Sequence, residues 1–412
     1  MKELFNDYVQ DLETYIMIQI KMETNRLAPE LTARGRKPIS LAMGAPVERP
    51  PQLVTNKLIE YVTGDGMHTY TLVKGENYLL EAIAKKMKTT TGVDFDTKSE
   101  ICALIGSKEG IANLIRALIN PKSEDKDIVL FPDPGYASYK EMVKVSGGMS
   151  YGIPLTPENN YMPDFDEVAE QLTKDGYSMK KVKALIINYP NNPLGAICTK
   201  EYMQKAVDFC KKHNILLISD AAYIDLTFEG CPKAPSVFDV EGAKDVAVEF
   251  YSFSKSYSMT GWRIGWVCGN KDAVTILGKL KSTIDTGIYK PIQKAAAEIL
   301  NSKEGDEYIA ESNKRFERKQ KIVVDGFKEL GWDMDKLNPP KATFYLWLPI
   351  PPSYKTSKEF TDAVLNKSGV VLVPGTGFGN NGQGWFRMSI VASEEEMVEV
   401  IRRLKEDGFR FE

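Results

Sequence analysis

From residue 101 to residue 269 the chain alternates between two hydrophobic rhythms. Short apolar runs occur at Ile101–Ile105, Ile128–Phe131, Tyr151–Leu155, Ala184–Ile187, Ile215–Ile218 and Val246–Phe250, the last broken by Glu249. Runs of this length, punctuated by Gly, Pro and Asn, predict strands. Between them, apolar residues recur at helical spacing in Ile111–Ile119, Asp166–Leu172 and Lys200–His213. Strands alternating with helices predict one mostly parallel sheet, buried on both faces, and hence an α/β fold.

The flanks read differently. Leu12, Tyr15, Ile16 and Ile20 predict a helix over Tyr8–Leu27, and Leu53–Val62 and Glu76–Lys88 predict two more. Ile39–Pro46 reads as a short strand entering a turn. After Lys290 and Pro291 the alternation stops. A long charged helix is predicted over Gly305–Leu330, then strands at Thr343–Leu348, Gly369–Val373 and Trp385–Ile390, then a terminal helix from Glu394. That order describes a smaller α+β unit.

Bulk composition narrows the function. The 412 residues, 43% apolar and 26% charged, are enough for two or three ordinary globular domains. A net charge of −3 argues against nucleic acid or an acidic membrane as the partner. Five dispersed Cys without C-x-x-C spacing and only two His argue against a zinc site and a His-based triad, so no metal is expected. The odd Cys count fits a reducing cytoplasm. Charged residues in the first twenty positions argue against a signal peptide, and no apolar run approaches the ~18 residues of a membrane span.

The densest chemistry follows the Val246–Phe250 run. Lys255 stands among Ser252, Ser254 and Ser256, flanked by aromatics, with Arg263 downstream. Desolvation there would lower the pKa of its ammonium, and a neutral amine can form a Schiff base with a carbonyl. Ser252, Ser254 and Arg263 offer the hydroxyls and charged fork that a phosphate needs. A Lys that simply reaches water from a strand end is the plainer alternative. Gly106-Ser107-Lys108 joins a strand to a helix, a geometry that points backbone N–H groups at an anion. Tyr136 ends a rigid Pro132-Asp133-Pro134-Gly135 turn and can offer a ring face. Asp220 closes an apolar strand, where ligands bind in open α/β sheets; capping a following helix would also explain it. Arg387 lies within an aromatic strand and calls for a carboxylate, from the protein or from a ligand. Gly44 permits close backbone approach. Gly375–Gly379 is not a dinucleotide fingerprint, because the G-x-G-x-x-G spacing and the following βαβ unit are missing.

Taken in order, these segments resemble the class I pyridoxal-phosphate-dependent aminotransferases of fold type I, and within them the LL-diaminopimelate aminotransferase group. The likeness lies in Leu104–Ile111, Pro132–Tyr136, Asn188–Pro193, Met259–Arg263 and Lys281–Ile288. Gly44–Pro50 departs from that group, which usually has Gly-Asp-Pro with a downstream Pro-Thr-Pro. The resemblance implies a mainly parallel seven-stranded sheet in which Arg263–Gly269 returns antiparallel. It implies a large domain, 51–289, a small one from both chain ends, 1–50 with 290–412, and a cytoplasmic homodimer with shared active sites. Pyridoxal 5'-phosphate would be held by Lys255, with Asp220 on its ring nitrogen. Asn192 and Tyr223 would bind its phenolic oxygen, and Tyr136 would stack on its ring. Gly106, Ser107, Lys108, Ser252, Ser254, Arg263 and Tyr70 of the partner subunit would hold its phosphate. Gly44, Lys108, Tyr136, Asn192 and Arg387 would contact the substrate, Arg387 taking the α-carboxylate. The implied reaction moves an amino group from an amino acid to a 2-oxo acid such as 2-oxoglutarate, by a ping-pong route. The alternatives are an aspartate- or alanine-type aminotransferase and a C–S β-lyase.

Overall fold

The structure, a computed structural model, describes residues 4–411. Its strands in chain order are β1 (Ile39–Ser40), β2 (Ile101–Leu104), β3 (Ile128–Asp133), β4 (Met149–Pro154), β5 (Val182–Ile187), β6 (Leu216–Asp220), β7 (Ala247–Ser252), β8 (Gly265–Gly269), β9 (Tyr345–Pro349), β10 (Val370–Val371), β11 (Val373–Pro374) and β12 (Trp385–Ser389). Strands β2 to β8 form a seven-stranded sheet in the order β2-β8-β7-β6-β5-β3-β4. Neighbours run parallel except at β8, which is antiparallel to both β2 and β7. The α/β class, the seven strands and the returning strand are as expected.

Successive residues of the central strands face different cores. Leu217 packs into one cluster and Ile218 into another, and Leu185 and Ile186 divide the same way. With both faces covered, such a strand has no polar side, which is why these segments read as apolar runs. The exception, Glu249, is fully buried in β7. Its carboxyl accepts from Ser219 Oγ at 2.8 Å, Ser236 Oγ at 2.6 Å, the Val237 N–H at 2.9 Å and the Tyr251 hydroxyl. Those donors replace the water the group gives up.

The smaller unit holds an antiparallel sheet in the order β11-β12-β9, and β1 pairs in parallel with β10. The long helix Lys303–Glu329 packs on Glu394–Glu406. Helix Lys290–Leu300 packs instead on Gln52–Val62 and Asn77–Thr91, and puts Ala295, Ala296, Ile299 and Leu300 into the larger core.

Two sequence expectations change. The helix expected over Tyr8–Leu27 is two, Asp7–Gln10 and Ile16–Ala33. Between them, the Asp11 carbonyl accepts from Lys144 Nζ at 2.6 Å and the Thr14 carbonyl from Gln19 Nε2 at 2.5 Å. A continuous helix would have used those carbonyls internally. Gly369–Val373 also splits, because Val370–Val371 joins β1 while Val373–Pro374 joins β12.

Candidate active site

Strands β2, β3, β5, β6 and β7 all point their C-terminal ends to one edge of the sheet. The turns leaving that edge, with Arg387 from β12, enclose a cavity of about 310 Å³. Gly44, Gly106, Ser107, Lys108, Tyr136, Asn192, Asp220, Tyr223, Ser252, Ser254, Lys255, Arg263 and Arg387 all line it. Of the residues singled out in the sequence, Tyr70 alone lies elsewhere.

Lys255 sits in the single helical turn Phe253–Ser256 that ends β7. Ser252 caps this turn, its Oγ accepting from the Ser254 N–H at 3.1 Å. Lys255 Nζ donates to the Gly44 carbonyl at 2.6 Å and lies 5.9 Å from the centre of the Tyr223 ring. Burial pushes its ammonium down to about 8; Arg387 and Arg263 act in the same direction and Asp220 opposes them. Between that value and the ordinary Lys pKa, the unfolded chain holds a proton that the folded apoprotein has lost. Apoprotein stability is therefore expected to rise as pH increases from about 8 toward about 10.5. Below that window the folded state carries the cost of a half-buried, partly desolvated ammonium, about 3 kcal/mol at most. Lys255→Met should abolish this rise and stabilise the apoprotein at neutral pH, as checked by denaturant titrations at several pH values. A pH profile identical to wild type would contradict the burial argument.

Asp220 is the last residue of β6 and 6% exposed. Tyr139 Oη donates to its Oδ2 at 2.6 Å, and the Ala222 N–H to its Oδ1 at 3.3 Å. Burial pushes the carboxyl up, and those two bonds pull it down. No helix starts after Asp220; the chain continues in turns. The capping alternative therefore has nothing to cap.

Arg387 is 3% exposed and clamped between the Tyr345 and Phe378 rings, 4.3 and 4.6 Å from their centres. Its Nη1 donates to Asn192 Oδ1 at 2.9 Å and its Nη2 to the Ala42 carbonyl, while the buried Nε has no partner. With Oδ1 taken, Asn192 has its amide N–H groups left to donate. Gly44 is required for space, because a Cβ there would overlap Tyr345 Oη. Tyr345 Oη in turn pairs with Tyr223 Oη at 3.0 Å.

At the other end, Gly106 (φ 105°) precedes helix Ser107–Leu118, whose first N–H groups have no partner within the helix. Arg263, itself left-handed at φ 56°, folds back over this turn and donates to the Ile105 carbonyl at 3.0 Å. A side chain at Gly106 would run into its guanidinium. Lys108 is exposed, its Nζ 5.2 Å from the Tyr15 ring centre and 5.8 Å from that of Tyr136. Among the described residues, none of Lys108, Lys255, Arg263, Arg387 or Asp220 takes part in an ion pair. The cations outnumber the carboxylate, so the cavity is built for anions.

Tyr70 is 86% exposed, in a shallow groove with His68, Thr71 and Thr286–Lys290. Tyr15, Tyr345 and Asn188 also line the cavity, and Tyr139 reaches Asp220, although the sequence reading gave none of them a role in the site. Tyr15 lines the cavity only because the expected N-terminal helix breaks just before it. Asn188 Nδ2 holds the Asp220 carbonyl at 2.7 Å. Tyr139, on helix Ser138–Val145, meets the Tyr136 ring edge-on at 5.4 Å. Among the described residues no group of His, Cys, Asp and Glu could hold a metal ion, and no helix is long and apolar enough to cross a membrane.

The profile of the family described as aminotransferase class I and II matches residues 36–404. The chain is 39% identical to LL-diaminopimelate aminotransferase 2 of Trichormus variabilis, over 94% of this chain and 96% of the relative. It is 38% identical to LL-diaminopimelate aminotransferase of Moorella thermoacetica, over 96% of each chain. Among solved structures it resembles substrate-bound BacF from Bacillus subtilis, with a TM-score of 0.90 at 31% identity, covering 99% of this chain and 98% of the other. It also resembles an aromatic aminotransferase from Pyrococcus horikoshii, with a TM-score of 0.81 at 30% identity, covering 92% and 99%. With the match spanning nearly the whole chain, the protein belongs to the class I and II aminotransferase family and is an enzyme that transfers nitrogenous groups.

Proposed function

We propose that this aminotransferase uses pyridoxal 5'-phosphate bound at Lys255 to move the α-amino group of LL-diaminopimelate to 2-oxoglutarate. The observation that carries the cofactor is the set of unpaired charges: an isolated buried carboxylate at one wall, a partly neutral Lys beside it, and a cationic turn at the far end. These residues fit the group. Gly106, Ser107, Lys108, Ser252, Ser254 and Arg263 would hold the phosphate, Asp220 the ring nitrogen, and Asn192 and Tyr223 the phenolic oxygen. Tyr136 would cover the ring. When bound, the cofactor supplies an aldehyde for the amine and a ring that accepts electrons from the substrate's α-carbon.

The chain supplies the rest. Arg387, with Nε unpartnered, binds the α-carboxylate, and the Tyr345 and Phe378 rings keep its guanidinium planar to the cavity. Asp220 is costly to ionise alone in its buried position, so a protonated ring nitrogen would be its natural partner. Tyr139 and the Ala222 N–H fix its two oxygens. Lys255 Nζ, freed when the substrate's amine takes its place, would remove the proton from the α-carbon and later return one. Tyr15 and Tyr136 close the cavity against water.

Tyr70 stands too far out to serve its own cavity, which supports a homodimer in which each Tyr70 completes the partner's phosphate site. The proposed large unit, 51–289, and small unit, 1–50 with 290–412, are supported by a separate core around Phe344, Leu346 and Phe386, while the packing of helix Lys290–Leu300 on the larger unit argues for moving the second boundary to Leu300. The free cysteines support a cytoplasmic location.

The LL-diaminopimelate assignment rests on the names of the full-length relatives. Gly44–Pro50 is the one observation favouring another donor, such as aspartate or alanine, because Gly44 opens onto the cavity from this loop. A panel of donors, each with 2-oxoglutarate, decides. LL-diaminopimelate should give the highest kcat/KM; a higher value with aspartate or alanine would overturn the donor assignment. Release of pyruvate and ammonia from cysteine conjugates without an oxo-acid acceptor would point to the lyase.

A further inference from the structure

Lys281 is fully buried, yet it lies outside the cavity and has no part in the chemistry above. It ends helix Lys271–Lys281, in the segment that opens the Lys281–Ile288 motif. Its Nζ lies 2.6 Å from Asp285 Oδ2 and 3.5 Å from Glu109 Oε2. Each carboxylate reaches a different piece of backbone.

Glu109 Oε2 accepts from the Ile105 N–H at 3.3 Å. The carbonyl of the same residue accepts from Arg263. Ile105 is thus gripped through both its backbone groups, immediately before the Gly106 turn. On the other side, Asp285 Oδ1 accepts from the Gly287 N–H at 2.7 Å. Gly287, at φ 91°, packs so tightly on the arm that a Cβ would meet Thr71 Cγ2 and the Leu72 carbonyl. Gln293 Nε2 holds Thr71 Oγ1 from the same side at 2.8 Å. Tyr70 is the next residue along that arm. A buried ammonium between two carboxylates is costly to assemble and specific in geometry. Here it links the Gly106 turn to the segment that carries the exposed Tyr70.

We propose that Lys281 is a positioning residue that ties one site's phosphate turn to the Tyr70 arm serving the other site. Lys281 touches neither cofactor nor substrate; it acts through Glu109 and Asp285. The link rests on the proposed role of Tyr70 at the partner's phosphate.

The test is the dissociation constant of pyridoxal phosphate, read by tryptophan fluorescence on folded dimer for four proteins: wild type, Lys281→Met, Tyr70→Phe and the double variant. Lys281→Met should weaken binding about tenfold, and Lys281→Arg should recover most of that loss. In the Tyr70→Phe background the Lys281→Met loss should shrink, because part of its effect runs through the arm. Should Lys281→Met fail to fold, Asp285→Asn carries the same comparison, since its Oδ1 still accepts from Gly287 while the charge on Lys281 loses its nearest partner. Folded Lys281→Met with wild-type affinity, or an equal fold-loss in both Tyr70 backgrounds, would overturn the link. Tyr70→Phe binding as tightly as wild type would overturn the role of Tyr70, and the link with it, whatever Lys281→Met does.

Discussion

Lys255→Ala is expected to reduce turnover at least about 10⁴-fold, the upper range for loss of a positioned general base, with loss of the cofactor anchor added. The reason is local. Among the described residues, no other amine both lines the cavity and sits beside Asp220: Lys108 stands at the exposed mouth, against the Tyr15 and Tyr136 rings. A nearby acid cannot substitute, because Asp220 is occupied by Tyr139 and the Ala222 N–H and faces a different role. The variant should remain folded, since truncation removes a half-buried, partly desolvated ammonium rather than a packing group. Loss of activity should therefore accompany unchanged or raised thermal stability of the apoprotein. Full transaminase activity in this variant would remove the chemical core of the account.

Arg387→Ala comes second in expected size. The guanidinium is buried, sandwiched between two rings and free of any protein carboxylate among the described residues. Losing a buried, charge-assisted partner of a substrate carboxylate costs about 2–5 kcal/mol. That corresponds to roughly a 30-fold to several-thousand-fold fall in kcat/KM. Most of it should appear as a higher KM for both the amino acid and the oxo acid, because both carry the carboxylate. Pyridoxal phosphate affinity should fall much less than substrate affinity, because Arg387 meets the proposed cofactor site only through its bond to Asn192. Arg387→Lys should recover little, since an ammonium cannot make the forked contact. An unchanged KM for both substrates in Arg387→Ala would show that the carboxylate binds elsewhere.

How far the sequence could be read follows from how local each signal is. Five strands, β2, β3, β5, β6 and β7, carry their burial on both faces and so read as apolar runs; the edge strand β4 is only partly buried. Lys255, Asp220 and Arg387 stood out because a charge in an apolar setting demands a partner. Tyr345 and Tyr139 gave no such sign, since a Tyr in an aromatic strand or on a helix is ordinary until its neighbours are known. Tyr139 finds Asp220 across 81 positions of chain. The break before Tyr15 also has a distant partner, with Lys144 holding the Asp11 carbonyl. Glu249 interrupted a strand for a reason that lies in Ser219 and Ser236, on other segments. The Lys281–Ile288 segment was legible only as a likeness; its physical content, a buried Lys between Glu109 and Asp285, emerges from the fold.

The most direct test of the whole account is to incubate the protein with pyridoxal phosphate, reduce it with borohydride, digest it and weigh the peptides. The mass of the reduced cofactor should appear on the peptide containing Lys255 and on no other, and Asp220→Ala should weaken cofactor retention without moving the label. A label on Lys108 or Lys281, or no label at all, would contradict the placement of the chemistry at Lys255.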